Sequence, residues 1–311
     1  MIQNNKVVLH YQEYNPIIES YLSLPEFESK AVDTLRGKRV TITTLCNYLG
    51  DAKIYSFSKC SPKDVTGYLN SISHLASSTK SGRLFILRHF FNYLYNQKIT
   101  IFSGNELFPV IFTNKRDRIL SFYSEDEIIK VISSIDNTTA QGKRNLLIVL
   151  LAAELGMRSS DIRRLKMTDV HWERNTIEFN QFKTNVFNQL PLLENIKYAM
   201  IDYLKNSRPN CNSNLIFIGV KNNYQMIAAA QVHSVVSKCF LKAGIDISTR
   251  KHGPHSLRHS LASNLLQNNT PIYVIKDVLG HTNLNSTRIY LNIDFSTLRM
   301  FALEVPYETN D

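Results

Sequence analysis

The chain has 311 residues, more than one ordinary core serves, and its length suits two domains. Hydrophobic residues make up 43% of it and no tract is strongly biased, which excludes a disordered or fibrous protein. Lys and Arg outnumber Asp and Glu by 36 to 26, for a net charge of +10 and a pI near 9.3, so a polyanion is the natural partner.

The first hundred residues read as helices. Ala31 to Leu49 carries apolar residues at helical spacing with Lys30, Arg36, Lys38 and Arg39 among them. Ser61 is placed as an N-cap, with Pro62 at the first helical position of a helix running through Val65, Tyr68, Leu69 and Ile72 to about Leu75. The segment SSTKSGRLFILRHFFNYLYNQK puts Leu84, Leu87, Phe91 and Leu94 on one face and Lys80, Arg83 and Arg88 elsewhere. Thr100 to Phe122 has no clean period and holds Ser103-Gly104-Asn105 and Pro109, so the interdomain linker is placed there. Ser124 to Glu127 forms a capping box that opens a second domain, whose helices continue to Leu155, with Gly156 as a left-handed stop. Thr176 to Phe182 and Asn188 to Leu193 make a small antiparallel hairpin with Lys183 at its shoulder. Helical patterns return at about 194–206, 231–243, 255–268 and 271–279.

Four cysteines, Cys46, Cys60, Cys211 and Cys239, lie far apart and read as reduced thiols, not as a zinc or disulfide framework. The N-terminus lacks a signal-peptide pattern, and the apolar run Leu146 to Ala153 is too short to cross a bilayer. The expectation is a cytoplasmic protein with no membrane partner.

Chemistry concentrates in the second half. His252 to Leu291 sets His255 and Arg258 three residues apart, then His281 after Leu279-Gly280, then Tyr290 nine positions on. Upstream, LGMRSSDIRRL supplies Arg158 and QFKT supplies Lys183. Together these groups can neutralise a phosphodiester, move two protons and provide a nucleophile. Four histidines within thirty residues (His252, His255, His259 and His281) raise the question of a metal. Catalytic metal sites usually add carboxylates, and this segment offers only Asp277, so no metal is assigned.

This arrangement resembles the tyrosine recombinases, the phage-integrase family. Members hold an arginine in a T-G-x-R-x-x-E-like turn, a lysine in a β-hairpin, an H-x-x-R helix, an L-G-H turn and a tyrosine about nine residues later. Arg158, Lys183, His255, Arg258, His281 and Tyr290 fill these places in order, over Ser124 to about Asp294. Leu155 replaces the usual threonine, and Asp161 stands where glutamate is commoner, supporting the arginine turn. His252 and His259 are read as packing or hydrogen-bonding residues.

The resemblance implies a mainly α fold of the DNA breaking–rejoining type. A helical core-binding domain would occupy 1–100, a linker 101–122, and a mostly α catalytic domain with a small antiparallel sheet 123–311. It implies that Tyr290 attacks phosphorus and forms a 3′-phosphotyrosine, with Arg158, Arg258 and His281 on the phosphate. A phenol of pKa about 10 is only about 0.1% ionised at pH 7, equivalent to roughly 4 kcal/mol, so His255 is assigned as its base. Lys183 is assigned as the acid that protonates the leaving hydroxyl. No cofactor is expected, because the phosphotyrosyl bond conserves the energy needed for resealing. The implied partners are double-stranded DNA with paired inverted-repeat core sites, a synaptic tetramer of the chain itself, and directionality or accessory proteins. Thr79, Lys80, Arg83 and Arg88 are the expected backbone contacts. With the core-binding pattern beginning within the first thirty residues, no arm-binding domain is expected. Integration or excision of a mobile element is the favoured role. Xer-type dimer resolution, a type IB topoisomerase-like activity and a catalytically silent DNA-binding protein are the alternatives.

Overall fold

Proline is tolerated in the first turn of a helix, where its missing N–H has no partner to lose. Pro62 sits there, and the Ser61 backbone N–H donates to the Asp64 carboxylate at 2.8 Å. The computed structural model describes residues 7–28, 30–110, 122–219 and 223–280. The chain divides into two units, Met1–Lys115 and Arg116–Asp311.

The first unit is helical among its described residues. Its elements are α1 (Asn15–Leu22), α2 (Val32–Asp51), α3 (Pro62–Ser71), α4 (Ser77–Asn96) and the one-turn α5 (Gly104–Leu107). The expected apolar stripe of α4 is buried through Leu84, Leu87, Phe91 and Leu94, joined by Phe90. Rings from other elements close on it. Tyr21 meets Phe90 edge-on at 5.0 Å, and Phe57 meets Phe90 at 5.2 Å. The third helix ends at Ser71, short of the expected Leu75, because the chain turns at Ile72 and the Leu75 N–H bonds to the Ile72 carbonyl. Phe102 and Phe108, in the stretch expected as linker, are buried in this unit's core. Arg88 holds them there by donating through Nε and Nη2 to the Phe108 carbonyl at 3.0 and 2.7 Å.

The second unit is built around α7 (Ala140–Ala153), whose residues Leu147 to Ala153 are all buried. Before it comes α6 (Glu125–Ser133), opened by the expected box. The Ser124 hydroxyl accepts from the Glu127 N–H at 3.2 Å, and the Glu127 carboxylate accepts from the Ser124 N–H at 3.0 Å. After α7 follow the one-turn α8 (Ser159–Ile162) and a three-stranded antiparallel sheet in the order β1 (Val170–His171), β2 (Thr176–Asn180), β3 (Phe187–Pro191). The hairpin register pairs Ile177 with Leu190 and Phe179 with Asn188. The first of these strands is shorter than expected, since the turn already begins at Gln181, whose N–H bonds to the Val186 carbonyl at 2.9 Å; the second starts one residue earlier than expected and ends at Pro191.

Next come α9 (Glu194–Asn206), a two-stranded ribbon of β4 (Ile218–Gly219) and β5 (Gln225–Met226), α10 (Ala229–Lys242), α11 (Pro254–Gln267) and α12 (Ile272–Leu279). Helices α9, α10 and α11 all pack on α7. The fold is mainly α with a small antiparallel sheet, as expected. Among the described residues, no helix is long and apolar enough to cross a membrane.

Candidate active site

Arg158 and Lys183 leave from turns at the ends of elements, and His255 and Arg258 from the first turns of a helix. Arg158 is the N-cap residue of α8, two positions after Gly156, which takes the left-handed conformation at φ 59°. The α7 helix therefore ends in a tight reversal that turns Arg158 back toward the sheet. Its Nη1 donates to Oε1 of Gln181, the first residue after β2.

Arg258 lies one turn into α11 and is only 5% exposed. A buried guanidinium must be well bonded, because an uncompensated charge is costly in a low dielectric. Nη1 donates to the Gly156 carbonyl at 2.6 Å and Nη2 to the carbonyl of Leu279, the last residue of α12. The Leu279 carbonyl also accepts from Gln181 Nε2 at 3.2 Å. Arg158, Gln181, Leu279, Arg258 and Gly156 thus form one connected chain of hydrogen bonds. Residues 102 apart in sequence are joined at one of its links, Arg258 to Gly156.

Lys183 is exposed, on the turn between β2 and β3. The residue before it is fixed from two sides. The Phe182 N–H donates to the Asp161 carboxylate at 3.0 Å, and the Arg164 guanidinium stacks 3.3 Å from the centroid of the Phe182 ring. Asp161 is 4% exposed and also accepts from the Ser160 hydroxyl at 3.2 Å. It links the arginine turn to the lysine turn.

His255 is the second residue of α11, one turn before Arg258. Its ring keeps solvent-accessible surface, yet crowding by the surrounding chain lowers its pKa below the usual histidine range. The nearby charges of Arg258, Arg158, Lys183 and His233 lower it further. All three expected cations therefore bear on this imidazole, and burial and charge alike favour its neutral form, the one able to accept a proton. His259, four residues on, is pushed down to about 4, chiefly by burial and then by His255, Arg258 and Lys251.

The loop before α11 is held from α6 and from Tyr123. Arg250 pairs with Glu127 at 2.7 Å and lies over the Tyr123 ring at 4.3 Å, while the Tyr123 hydroxyl donates to the Lys251 carbonyl at 3.1 Å. His233 on α10 enters from the other side, its ring centroid 5.9 Å from that of His252. Among the described residues no three His, Cys, Asp or Glu side chains converge as a metal site.

Arg158, Lys183, His255 and Arg258 are thus brought to one region, with Asp161 behind them. His281 and Tyr290 lie outside the described residues. On the first unit, Thr79 is exposed, Arg83 is half-buried, and Lys80 Nζ donates to the Ser73 carbonyl at 3.1 Å. Arg88 has the structural bonds to Phe108 given above.

Gln181, which bonds both Arg158 and the Leu279 carbonyl, is the residue of this network that motif reading passed over, although it stands in the same QFKT as Lys183. A signal was present. Strand alternation puts 177, 179 and 181 on one face, and Ile177 on that face is fully buried. A glutamine at the next inward position needs buried partners.

The family model described as "Phage integrase family" matches residues 121–297. The chain is 30% identical over 262 residues to the putative integrase/recombinase y4rA of Sinorhizobium fredii, covering 83% of this chain and 63% of the relative. It therefore spans less than two thirds of that relative's length. It is 28% identical over 275 residues to tyrosine recombinase XerH of Campylobacter jejuni, covering 85% of this chain and 76% of that one. Among solved structures, a XerH site-specific recombinase bound to a palindromic difH substrate aligns with a TM-score of 0.72 at 21% identity, over 89% of this chain and 81% of that one. A lambda integrase dimer bound to a COC' core site (residues 75–356) aligns at 0.69 and 15% identity, over 89% and 94%. At these identities the structural likeness is one of fold.

Proposed function

The chain belongs to the phage integrase family, and from that premise we propose that it is a site-specific DNA recombinase acting through a covalent phosphotyrosine. The observation that supports this best is the hydrogen-bonded chain joining Arg158 to Arg258 beside a neutral His255.

In this reading the two guanidinium groups meet the nonbridging oxygens of one phosphate. Charge grows there as the pentacoordinate transition state forms, and a permanently charged planar fork is suited to it. His255 takes the phenolic proton of Tyr290. The Tyr290 oxygen bonds to phosphorus, the bond from phosphorus to the 5′ oxygen breaks, and Lys183 delivers a proton to that leaving oxygen. His281, next after Gly280, is assigned to a phosphate oxygen. Rejoining runs the same steps backward from the 5′-hydroxyl of the partner strand, so bond count and charge balance without a metal or a nucleotide cofactor.

The DNA partner is a duplex with paired inverted repeats, synapsed by four copies of the chain. Thr79, Lys80 and Arg83 are proposed as backbone contacts of the first unit. Arg88 is proposed with them, its Nε and Nη2 also holding the Phe108 carbonyl. The exchanges are assigned to insertion and excision of a mobile element, with any accessory proteins setting direction.

The test is covalent capture. Nicked duplexes from a random pool, incubated with the wild-type chain, are expected to yield a protein–DNA adduct resistant to denaturation and insensitive to EDTA. Tyr290→Phe is expected to bind the captured duplex with unchanged affinity and to form no adduct, a loss of at least about 10⁴-fold. In cells, only the wild type is expected to join the ends of the element that carries the gene. Adduct formation by Tyr290→Phe would overturn the assignment of the nucleophile.

A further inference from the structure

The Gln181 carboxamide is buried, with the residue 2% exposed, at the point where β2 runs into the lysine turn. Its orientation is fixed by its partners. A guanidinium can only donate, so Oε1 faces Arg158, and a backbone carbonyl can only accept, so Nε2 faces Leu279. The Thr184 hydroxyl donates to the same Oε1 at 3.0 Å, which ties the amide to the turn carrying Lys183. Flipping the amide would set donor against donor at Arg158 and acceptor against acceptor at Leu279.

The neighbouring chain is shaped to this amide. Gly280 follows Leu279 in the left-handed conformation at φ 58°, and a Cβ placed there would lie 2.0 Å from Gln181 Nε2. Glycine is therefore required at 280 twice over, by backbone conformation and by the approach of the glutamine. The amide touches a guanidinium, the lysine turn and the helix end from which the chain runs on to residues 281 and 290.

We infer that Gln181 is a positioning residue for cleavage, orienting Arg158 and locking the Lys183 turn to the end of α12 through the carbonyl shared with Arg258. It contacts no substrate atom and acts through the groups it holds. This inference rests on the reading of Arg158 as a phosphate-binding group, so the experiment tests both separately.

The experiment is a double-substitution cycle on single-turnover adduct formation, using a nicked duplex selected by covalent capture on the wild-type full chain. Gln181→Met keeps the length of the side chain and removes every hydrogen bond. It is expected to slow adduct formation about 10- to 100-fold, the worth of hydrogen bonds to a charged group, with unchanged noncovalent affinity for the duplex. In an Arg158→Ala background the same change is expected to cost less than about 3-fold, because the group it orients is gone.

An equal loss in both backgrounds, or no loss in either, overturns the positioning role while leaving the site reading intact. An Arg158→Ala chain that cleaves as fast as wild type overturns the site reading, and the inference with it. Failure of the wild type to capture any duplex does the same. Should Gln181→Met lower the melting temperature by more than about 5 °C, the cycle is run at a temperature well below its transition, where all four chains stay folded, and the same two comparisons decide.

Discussion

Among the described residues of the first unit the largest buried side chains are rings, Tyr14, Tyr21, Phe90, Phe91 and Phe108 among them, and the buried polar residues are Thr41, Thr43 and Thr100. Two of these hydroxyls find partners close by: Thr41 donates to the Gly37 carbonyl one turn back, and Thr100 to the carbonyl of Phe102. The second unit buries Asp161, Gln181, Asn188 and Arg258 as well as an aliphatic helix. Its buried Ser256, Ser260 and Ser263 bond within one turn as the threonines do, but Arg258 and Gln181 have partners far off in sequence, Gly156 and Leu279. Hydroxyls bonded within a turn are satisfied as soon as a helix forms. A guanidinium bonded across the unit is satisfied only when the whole unit has closed. The first unit can therefore be read as a scaffold for surface contacts. In the second, the groups assigned to chemistry are themselves part of the tertiary structure.

The largest effect expected from this contrast is at Arg258. Arg258→Met removes the fork and leaves the Gly156 and Leu279 carbonyls without a donor, apart from the one Gln181 supplies to Leu279. Adduct formation should fall by about 10³-fold, as for loss of a transition-state donor. Unfolding of the second unit in denaturant should lose about 2–5 kcal/mol for the buried groups left unpaired. If cleavage were lost at full stability, structure and chemistry would be separable in this unit and the contrast would break.

Phe90→Ala probes the other side. Phe90 is fully buried and meets Tyr21 and Phe57 edge-on, so its loss opens a cavity and should cost about 3–5 kcal/mol. That loss is expected in the transition of the first unit alone, with the melting of the second unit unchanged. Equal shifts in both transitions would show that the units unfold as one, contrary to their separate cores.

How far the sequence disclosed this follows the same division between local and distant partners. Helix α4 was legible because Leu84, Leu87, Phe91 and Leu94 repeat at its period, and α6 because Ser124 and Glu127 cap each other within three residues. Arg158, Lys183, His255 and Arg258 were legible as a set only through a motif order, since no spacing rule says that they meet. Phe102 and Phe108 were hidden in an aperiodic stretch, where aromatic content was a better guide to burial than period. The Leu279 carbonyl that joins Gln181 to Arg258 could not be read at all. Every residue has such a carbonyl, and only the tertiary fold selects this one.

The smallest expected effect is in acid, and it separates the units by pH. His259 is held at a pKa of about 4 in the folded second unit, chiefly by burial, against about 6.5 in an unfolded chain. Between those values the unfolded chain binds a proton that the folded chain does not. Stability is therefore complete above pH 6.5 and is lost as pH falls, by about 2 kcal/mol at pH 5 and about 3 kcal/mol near pH 4. His255, lowered in the same direction, adds to this loss. In the first unit Glu19 is held below the usual carboxylate range by its hydrogen bond to Arg39. A depressed carboxylate contributes above its unfolded pKa of about 4.3, so its contribution declines only below that value. Denaturant unfolding at pH 7.5 and pH 5 should accordingly show the second unit weakening while the first holds. His259→Phe should recover most of the second unit's loss at pH 5. An equal acid loss in that variant would move the cause away from this histidine and toward charges not buried in the unit.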